Sequence, residues 1–261
     1  MRLKMVWVGI LLFIIFSILL SGYLVKAQRE PFSADNVTVV SGYWKVKNKH
    51  GNDKYDEWFK NTFRINQKYV FFCDKSMNEY ISKHRNGYET VFVDYPLERF
   101  YSKSFAKDDW VHPINVPSKE IGMIWNEKVH LIKLAKDMDK NPTEYYMWID
   151  AGIAPYREKM PPQKRLNIDS TRLPSKKLYY SGVDEDYHHF SAGVLILHRD
   201  IIDEFHDKYY STLQSCNEEW KCGSEQVIFT KMQNVYPELF HELSKGYGEN
   251  LVKIYEEYLL S

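Results

Sequence analysis

The chain has 261 residues, of which 44% are hydrophobic and 16% aromatic, so it has enough apolar side chain for one sizeable core, and its length predicts one or two domains. Its 35 basic and 35 acidic residues balance, so the overall charge indicates neither a nucleic acid nor an anionic membrane surface as a partner. Three cysteines and moderate glycine and proline counts exclude a disulfide-rich miniature scaffold, a collagen and a low-complexity chain.

The N-terminus carries an uncharged apolar run at residues 5–25, which is 21 residues long. At about 1.5 Å per residue, a helix of this length spans the core of a bilayer. A cleaved signal peptide has a shorter apolar region, of about 7–15 residues. The run therefore predicts an uncleaved signal anchor after a cytosolic tail at 1–4, followed by a stem at 26–36. The small residues Val25 and Ala27 leave open cleavage after Ala27, which would give a secreted protein.

The charges and a sequon near this run predict where the rest of the chain resides. Arg2 and Lys4 on the short N-terminal side favour a cytosolic position for that end, which makes the chain a single-pass type II membrane protein facing the ER or Golgi lumen. Asn36-Val37-Thr38 is a glycosylation sequon directly before the folded part, where a stem would be accessible, and it predicts a glycoprotein.

The three cysteines agree with a lumenal location. Cys216 and Cys222 flank the polar loop CNEEWKC and would close a small disulfide loop in an oxidising compartment. Two unpaired surface thiols are the alternative. Cys73, inside the apolar run YVFFC, is predicted to be a buried thiol.

Strand-like and helix-like patterns alternate after the stem, and no repeat or composition break divides residues 37–261, which we treat as one domain. The predicted strands are 37–44, 69–73, 88–96, 145–150, 178–182 and 192–198. The predicted helices are 53–65, one that opens with a capping box of Ser76 and Glu79, 118–139, about 200–213 and about 223–235. This alternation predicts an α/β fold with a largely parallel sheet covered by helices on both faces.

The longest predicted helix, 118–139, leads directly into the strand YYMWI. It places an apolar stripe along one face, from Ile121 to Met138. Lys128 lies in this helix, and a lysine on an amphipathic helix faces solvent by default.

Asp150 ends the apolar strand at 145–149. Parallel sheets bind ligands at the carboxyl ends of their strands. A carboxylate at the rim of the core requires a metal ion, a cationic side chain or backbone N–H groups as its partner. The alternative is that Asp150 only caps the Ala-Gly turn that follows it.

Several common signatures are absent from the sequence. It has no Gly-rich dinucleotide loop, P-loop, H-E-x-x-H, paired C-x-x-C or G-x-S-x-G. His198-Arg199-Asp200 spells the kinase catalytic tripeptide, but Phe205 stands where the kinase pattern requires Asn. The tripeptide therefore predicts a strand passing into a helix, with Asp200 near the N-cap.

Six segments in chain order resemble the HtrL/YibB family of glycosyltransferase-like proteins: TVVSGYW, KYDEWFKNTFRIN, VPSKEIGMIWNEKVHLIKLA, YYMWIDAG, SAGVLILHRD and CGSEQVIFTKM. The similarity covers most of residues 37–240, and WIDAG preceded by the IWNEK helix is its most specific part. That family resembles GT-A type glycosyltransferases, whose nucleotide-sugar site is built on a Rossmann-like sheet. The resemblance implies a GT-A-like fold, a nucleotide-sugar donor and a glycan or protein acceptor.

Carried over by position, WID resembles the GT-A metal motif, in which an acidic pair holds Mn²⁺ or Mg²⁺ against the donor diphosphate. Ala151 follows Asp150, so the second carboxylate of that motif is absent. Three alternatives stay open. Asp150 binds a metal with a ligand from elsewhere, for which His198 is a candidate; cationic side chains replace the metal; or the site is degenerate.

The resemblance also suggests residues for the donor and acceptor. The candidates for binding the donor are Ser41, Asn126, Lys128, Gly193 and Gln226. Asp150 and Glu225 are the candidate catalytic residues, and Glu225 is either a general base or an N-terminal helix carboxylate favoured by the helix dipole. The acidic loop 184–186 offers rival bases.

The sequence therefore predicts a membrane-anchored, lumenal glycosyltransferase that transfers a sugar from a nucleotide-sugar donor to an acceptor hydroxyl. The alternative, motivated by the missing second carboxylate, is a catalytically inactive GT-A-like domain that binds glycans or proteins. Neither hypothesis involves nucleic acid.

Overall fold

Seven strands form one mixed sheet in the computed structural model, which describes residues 36–169, 171–173 and 176–247. The strands are β1 Val37–Tyr43, β2 Tyr69–Cys73, β3 Thr90–Asp94, β4 Tyr145–Ile149, β5 Leu178–Glu185, β6 His188–His198 and β7 Phe240–Lys245. Their order across the sheet is β3-β2-β1-β4-β6-β5-β7. Only β6 runs against the other strands of this sheet. The predicted, largely parallel sheet is confirmed.

Helices cover both faces of the sheet, as predicted. Those in the described residues are α1 Asn52–Thr62, α2 Asn78–His84, α3 Lys119–Met138, α4 Ile202–Ser215 and α5 Glu225–Val235. Phe59 of α1 and Ile81 of α2 pack against one set of strand side chains, whereas α3, α4 and α5 pack against the alternate set. Successive strand side chains point to opposite faces. Strands such as YVFFC and YYMWI are therefore apolar along their whole length, because both of their faces are buried.

Two sequence predictions of local structure are wrong. The capping box does not form, because Ser76 lies in a 3₁₀ turn at Lys75–Met77 and α2 begins at Asn78 with no side-chain cap. The acidic loop at 184–186 is instead the end of β5 and the turn of the β5–β6 hairpin. The HRD tripeptide follows the prediction, since β6 ends at His198 and a 3₁₀ turn then leads into α4.

The buried face of α3 differs from the predicted stripe. Ser118 caps this helix, its Oγ accepting a hydrogen bond from the N–H of Ile121 at 3.2 Å. Met138, assigned to the stripe, is 45% exposed. The buried residues include Val129, Ile132 and Ala135 of the stripe, but also the polar Asn126, Glu127 and Lys128. The default of a solvent-facing Lys128 is therefore wrong.

The predicted N-terminal segments fall largely outside the described residues, which include neither the anchor at 5–25 nor the cleavage position at Ala27. Within the part of the chain that the structure describes, no helix is long and apolar enough to cross a membrane.

Asn36, placed in the predicted stem, is part of the folded domain. Its Nδ2 donates to the carbonyl of Ile168 at 2.6 Å, and its Oδ1 accepts from the N–H of Ile168 at 2.9 Å. Thr38 of the same sequon is fully buried in β1. The accessible sequon that the sequence predicts is therefore not present in the folded chain, where the Asn36 amide joins two backbone segments.

The predictions for the cysteines are confirmed. Cys216 and Cys222 form a disulfide, and both residues are buried, which excludes the surface-thiol alternative. Cys73 is a free thiol that is fully buried in β2. Burial, together with two nearby aspartates, raises the pKa of this thiol to about 12.

Arg85 closes the amino-terminal ends of β2 and β3. It is 2% exposed, and its guanidinium lies 4.0 Å from the centroid of the Tyr69 ring. Its terminal nitrogens donate to four backbone carbonyls, at distances of 2.7–3.1 Å: those of Phe63, Ile65, Gln67 and Glu89. One side chain thus supplies hydrogen-bond donors to the backbone carbonyls of the segments that lead into both strands.

Replacing Arg85 with Met should lower the free energy of unfolding by about 3 kcal/mol or more, because each buried acceptor left without a donor costs about 1–3 kcal/mol. Urea denaturation measures the loss. The matched control is the exposed Arg64, whose replacement by Met should change stability by less than about 0.5 kcal/mol. Equal effects of the two substitutions would contradict the role given to Arg85.

Candidate active site

A crevice of about 340 Å³ opens at the carboxyl ends of β1 and β4. β2 and β3 lie on one side of β1 and β4 lies on the other, so the direction of strand succession reverses between β1 and β4. Open α/β sheets bind ligands at such a switch point. The volume falls within the range of about 300–1,000 Å³ of small-molecule sites. The position and size of the crevice therefore mark it as the candidate site.

The ammonium of Lys128 lies at the base of the crevice. Its Nζ donates to Glu225 Oε1 at 2.7 Å and to the carbonyl of Ala192 at 3.0 Å, and it forms an ion pair with Asp150 Oδ1 at 2.9 Å. The Lys128 side chain is only 2% exposed. An ammonium has three donors, and three protein oxygens surround this one within 3.0 Å. Lys128 therefore fixes two carboxylates and has no donor left for a ligand.

Burial and ion pairing shift the pKa values of Lys128 and Glu225 in opposite directions. Burial disfavours the charge on Lys128, but Asp150 and Glu225 beside it raise the pKa of the ammonium above its usual value. Burial also raises the pKa of the Glu225 carboxyl, and the neighbouring Lys128 opposes that shift. Lys128 thus remains charged at neutral pH.

Asp150 is the carboxylate of this group that a ligand can reach. Its side chain is 42% exposed, compared with 6% for Glu225. Its Oδ1 accepts a hydrogen bond from Trp148 Nε1 at 2.7 Å and forms the ion pair with Lys128. Among the described residues, no donor binds Oδ2, so this oxygen is available to a ligand. The turn after the strand is closed by the backbone carbonyl of Asp150, which accepts from the N–H of Ile153 at 3.1 Å, and not by its carboxylate.

Glu225, Gly193 and Gln226 also line the crevice. Glu225 is the first residue of α5, which corresponds to the alternative of an N-terminal helix carboxylate. The amide Nε2 of Gln226 donates to the carbonyl of Phe190 at 2.6 Å. None of the rival bases at 184–186 lines the crevice.

Two candidates for donor binding lie elsewhere and are corrected by the structure. Ser41 is fully buried, and its hydroxyl donates to the carbonyl of Ile149 at 2.7 Å, which links β1 to β4. Asn126 is also fully buried, and its Oδ1 accepts from the hydroxyl of Tyr209 at 2.8 Å. Both side chains support the elements around the crevice without lining it.

His198 cannot share a cation with Asp150. In the register of the two strands, His198 pairs with Tyr145 at the start of β4, whereas Val194 pairs with Ile149 at its end. Four residues of strand separate the two positions by about 13 Å. Because β6 is antiparallel to β4, its carboxyl end lies at the opposite edge of the sheet.

The site residues do not fit the Mn²⁺ or Mg²⁺ that the GT-A resemblance implies. Among the described residues, no three His, Cys, Asp or Glu side chains group around a possible ion position. Such ions require several oxygen ligands, and the Lys128 ammonium lies between the oxygens of Asp150 and Glu225. A divalent cation placed there would repel this ammonium.

A second group of side chains, which sequence reasoning missed, also lines the crevice. We call it the cationic wall: Lys49, Tyr55 and Arg157 line the crevice, and Trp58 supports Arg157. The guanidinium carbon of Arg157 lies 3.7 Å from the centroid of the Trp58 ring, and Nε donates to the carbonyl of Gly152 at 3.0 Å. Arg157 lies only seven residues after Asp150, and this short separation was the one sequence signal that could have indicated that both residues belong to the same site.

The glycine of WIDAG has a steric role in this wall. A Cβ on Gly152 would lie 2.9 Å from the Tyr55 ring, which is closer than side-chain carbons pack. Gly152 therefore allows Tyr55 to approach the loop that follows β4 and to line the crevice beside Asp150.

No protein-family model matches the chain, and no curated protein matches it either. Similar solved structures include a glycosyltransferase involved in the glycosylation of the major capsid of PBCV-1, with 14% identity, a TM-score of 0.42 and coverage of 80% of this chain and 81% of that one. The PaToxG glycosyltransferase is 11% identical, with a TM-score of 0.39 and coverage of 77% and 68%.

A third similar structure is 4-diphosphocytidyl-2C-methyl-D-erythritol synthase from Anaerococcus prevotii, with 7% identity, a TM-score of 0.43 and coverage of 83% of this chain and 91% of that one. Identities and TM-scores this low carry no argument about activity, so the function must be argued from the crevice itself.

Replacing Lys128 with Met should lower the free energy of unfolding by about 3–5 kcal/mol at neutral pH, because it leaves the buried Glu225 charge without a partner. In this variant the folded-state pKa of Glu225 lies above the unfolded-state value. The destabilisation is therefore present at high pH and is relieved as the pH falls through the folded-state pKa. Urea denaturation at neutral and acidic pH measures both effects.

The double variant Lys128→Met/Glu225→Gln provides the matched control, since it removes the lysine and the buried acid together. It should be more stable than Lys128→Met alone at neutral pH, and the difference between the two should shrink as the pH falls, because only the single variant still carries the Glu225 carboxyl. Additive losses from the two single substitutions would show that the groups are not coupled.

Proposed function

We propose that the chain is a glycosyltransferase that transfers a sugar from a nucleotide-sugar donor to an acceptor hydroxyl. The observation that carries the proposal is the composition of the crevice, which one exposed, firmly held carboxylate shares with a group of cations and aromatic rings. Cations suit the diphosphate of such a donor, and aromatic faces suit a base or a sugar ring. The carboxylate suits a hydroxyl group.

The segments WIDAG and IWNEK support the same class. They supply Asp150, Gly152 and Lys128, three residues that line one crevice although they come from a helix and a loop. Their resemblance to the HtrL/YibB family, and through it to GT-A type enzymes, therefore falls on the candidate site. We propose membership of that family on this basis.

Asp150 takes the general-base role considered for Glu225, because Asp150 is exposed and Glu225 is buried against Lys128. In the proposed reaction, the acceptor hydroxyl gives its proton to the Asp150 carboxylate as its oxygen bonds to the anomeric carbon. The bond between that carbon and the diphosphate oxygen breaks, and its electron pair leaves with the nucleoside diphosphate. Such proton transfer contributes about 100- to 10,000-fold to a rate.

Lys128 and Trp148 are positioning residues in this scheme. Trp148 donates a hydrogen bond to Oδ1 of Asp150 and Lys128 forms an ion pair with the same oxygen, so the carboxylate is held in one orientation. They come from the centre of α3 and from β4, which are rigid, buried elements. Holding a reacting group in this way removes part of the entropic cost of the reaction.

The proposed enzyme is anchored in the membrane by residues 5–25, with its domain in the ER or Golgi lumen. The uncharged apolar run and the Cys216–Cys222 disulfide support this location, since disulfides persist mainly in oxidising compartments. A chain that stays with membranes after carbonate extraction is the expected result. Recovery from the medium of chains that begin at Gln28 would instead show cleavage and secretion.

The proposed chemistry is tested with Asp150→Asn in the full-length chain. A panel of nucleotide sugars with different bases is screened for release of the nucleoside diphosphate, by transfer or by slow hydrolysis. For the donor that reacts, the substitution should lower the rate by about 100-fold or more, because Asn cannot accept the proton. Binding of the nucleoside diphosphate alone should change little.

The matched control is Asp186→Asn, in the exposed hairpin turn outside the crevice, which should leave the rate unchanged. Full activity of Asp150→Asn would remove Asp150 from the mechanism. A wild-type chain that binds nucleotides but turns over no donor would favour the alternative of a glycan- or protein-binding domain.

A further inference from the structure

We propose that the crevice binds the diphosphate of its donor without a divalent cation, and that Arg157 and Lys49 supply the positive charge. The inference rests on the proposed function, since it concerns how the same donor is held. It assigns a role to two residues of the cationic wall that the sequence did not single out.

The Lys128 ammonium lies between the two carboxylates of the crevice. Nζ lies within 2.9 Å of oxygens of both Asp150 and Glu225, the carboxylates of the crevice. This lysine is held in place by its own helix and by the carbonyl of Ala192, so it is not a mobile substitute for an ion. The position between the two carboxylates is therefore already taken by a covalently attached cation.

The Arg157 side chain is preorganised to bind an anion. Its guanidinium stacks on Trp58, and Nε is bonded to the carbonyl of Gly152. Within the described residues, its two terminal nitrogens have no acidic partner. A guanidinium presents paired donors that match phosphate oxygens, and stacking limits the entropy that it loses on binding. The Nε atom of Arg157 is thus held by its hydrogen bond, whereas the donors on the two terminal nitrogens remain available to a ligand.

The charged side chains that line the crevice are unevenly distributed. The charged side chains of the lining are Lys49, Lys128, Arg157, Asp150 and Glu225, which leaves one net positive charge. Because Lys128 is used by the carboxylates, the charge available to an anion lies on the cationic wall. Burial lowers the pKa of the adjacent His50, and Lys49 and Arg157 lower it further, as expected beside concentrated positive charge.

The direct test is calorimetric titration of UDP, GDP and CDP into the full-length chain, in EDTA and again with Mn²⁺. The nucleotide that binds should do so in EDTA, with a Kd within about threefold of that measured with Mn²⁺. Binding that requires Mn²⁺ would overturn this inference and leave the proposed function intact. No binding of any nucleotide in either condition would overturn both.

The residue assignment is tested in EDTA with Arg157→Ala, which should weaken binding by about 10- to 100-fold through loss of charge-assisted hydrogen bonds. Arg157→Lys should lie between this variant and the wild type, since it keeps the charge but loses the planar fork. The control is Lys54→Ala, which removes an exposed charge close to the wall but outside the lining and should change Kd less than about threefold. Equal effects of Arg157→Ala and Lys54→Ala would overturn the assignment.

A third measurement uses Lys128→Ala, which removes the ammonium and leaves the two carboxylates facing an open position. Mn²⁺ should then raise the thermal midpoint of this variant, because a ligand that binds the folded state stabilises it, and should leave the wild type unchanged. Lys128→Ala/Glu225→Gln, which lacks one of the two acids, should lose the response. A rise of equal size in the wild type would overturn the inference.

Discussion

The Lys128 ammonium is buried inside the domain, where it is stable only because three acceptor oxygens, two of them from carboxylates, lie within 3.0 Å of it. The three acceptors come from three different elements: Asp150 follows β4, Ala192 lies in β6 and Glu225 begins α5. With α3, which carries the lysine, four segments must therefore meet around one nitrogen atom. The same interaction determines how these segments pack and where the Asp150 carboxylate lies, so the fold and the crevice are specified together.

Most of the sheet could be predicted from local sequence, because strands buried on both faces are continuous apolar runs such as YVFFC and YYMWI. β7 could not, since FHELSK is partly exposed at an edge of the sheet and its two apolar residues, Phe240 and Leu243, do not follow the period of two that indicates a strand. Strand direction also has no local signal: SAGVLILH reads as a buried strand whether it runs parallel or antiparallel to β4. The sequon shows the same limit, because its accessibility depends on a contact with Ile168, 132 residues away.

The site was predictable in part for similar reasons. Asp150 stands out because a charge ends an apolar strand, and Glu225 because it begins a helix. The reversed direction of β6 separates His198 from Asp150, although both residues end strands in the sequence. Lys128 and Arg157 depend on partners that are distant along the chain, since the Lys128–Glu225 pair spans 97 residues. A lysine in an amphipathic helix and an arginine in a loop carry no local sign of such partners.

In the proposed enzyme, the crevice separates two tasks that a bound metal ion performs together. A divalent cation orients the surrounding carboxylates and also neutralises the diphosphate. Here Lys128 orients Asp150, but its single charge is already balanced by the two acids beside it. In the proposed reaction, charge on the departing diphosphate is met by the cationic wall, where Arg157 stacks on Trp58. The missing second carboxylate of WIDAG is consistent with this arrangement, because Gly152, two residues after Asp150, lets Tyr55 complete that wall.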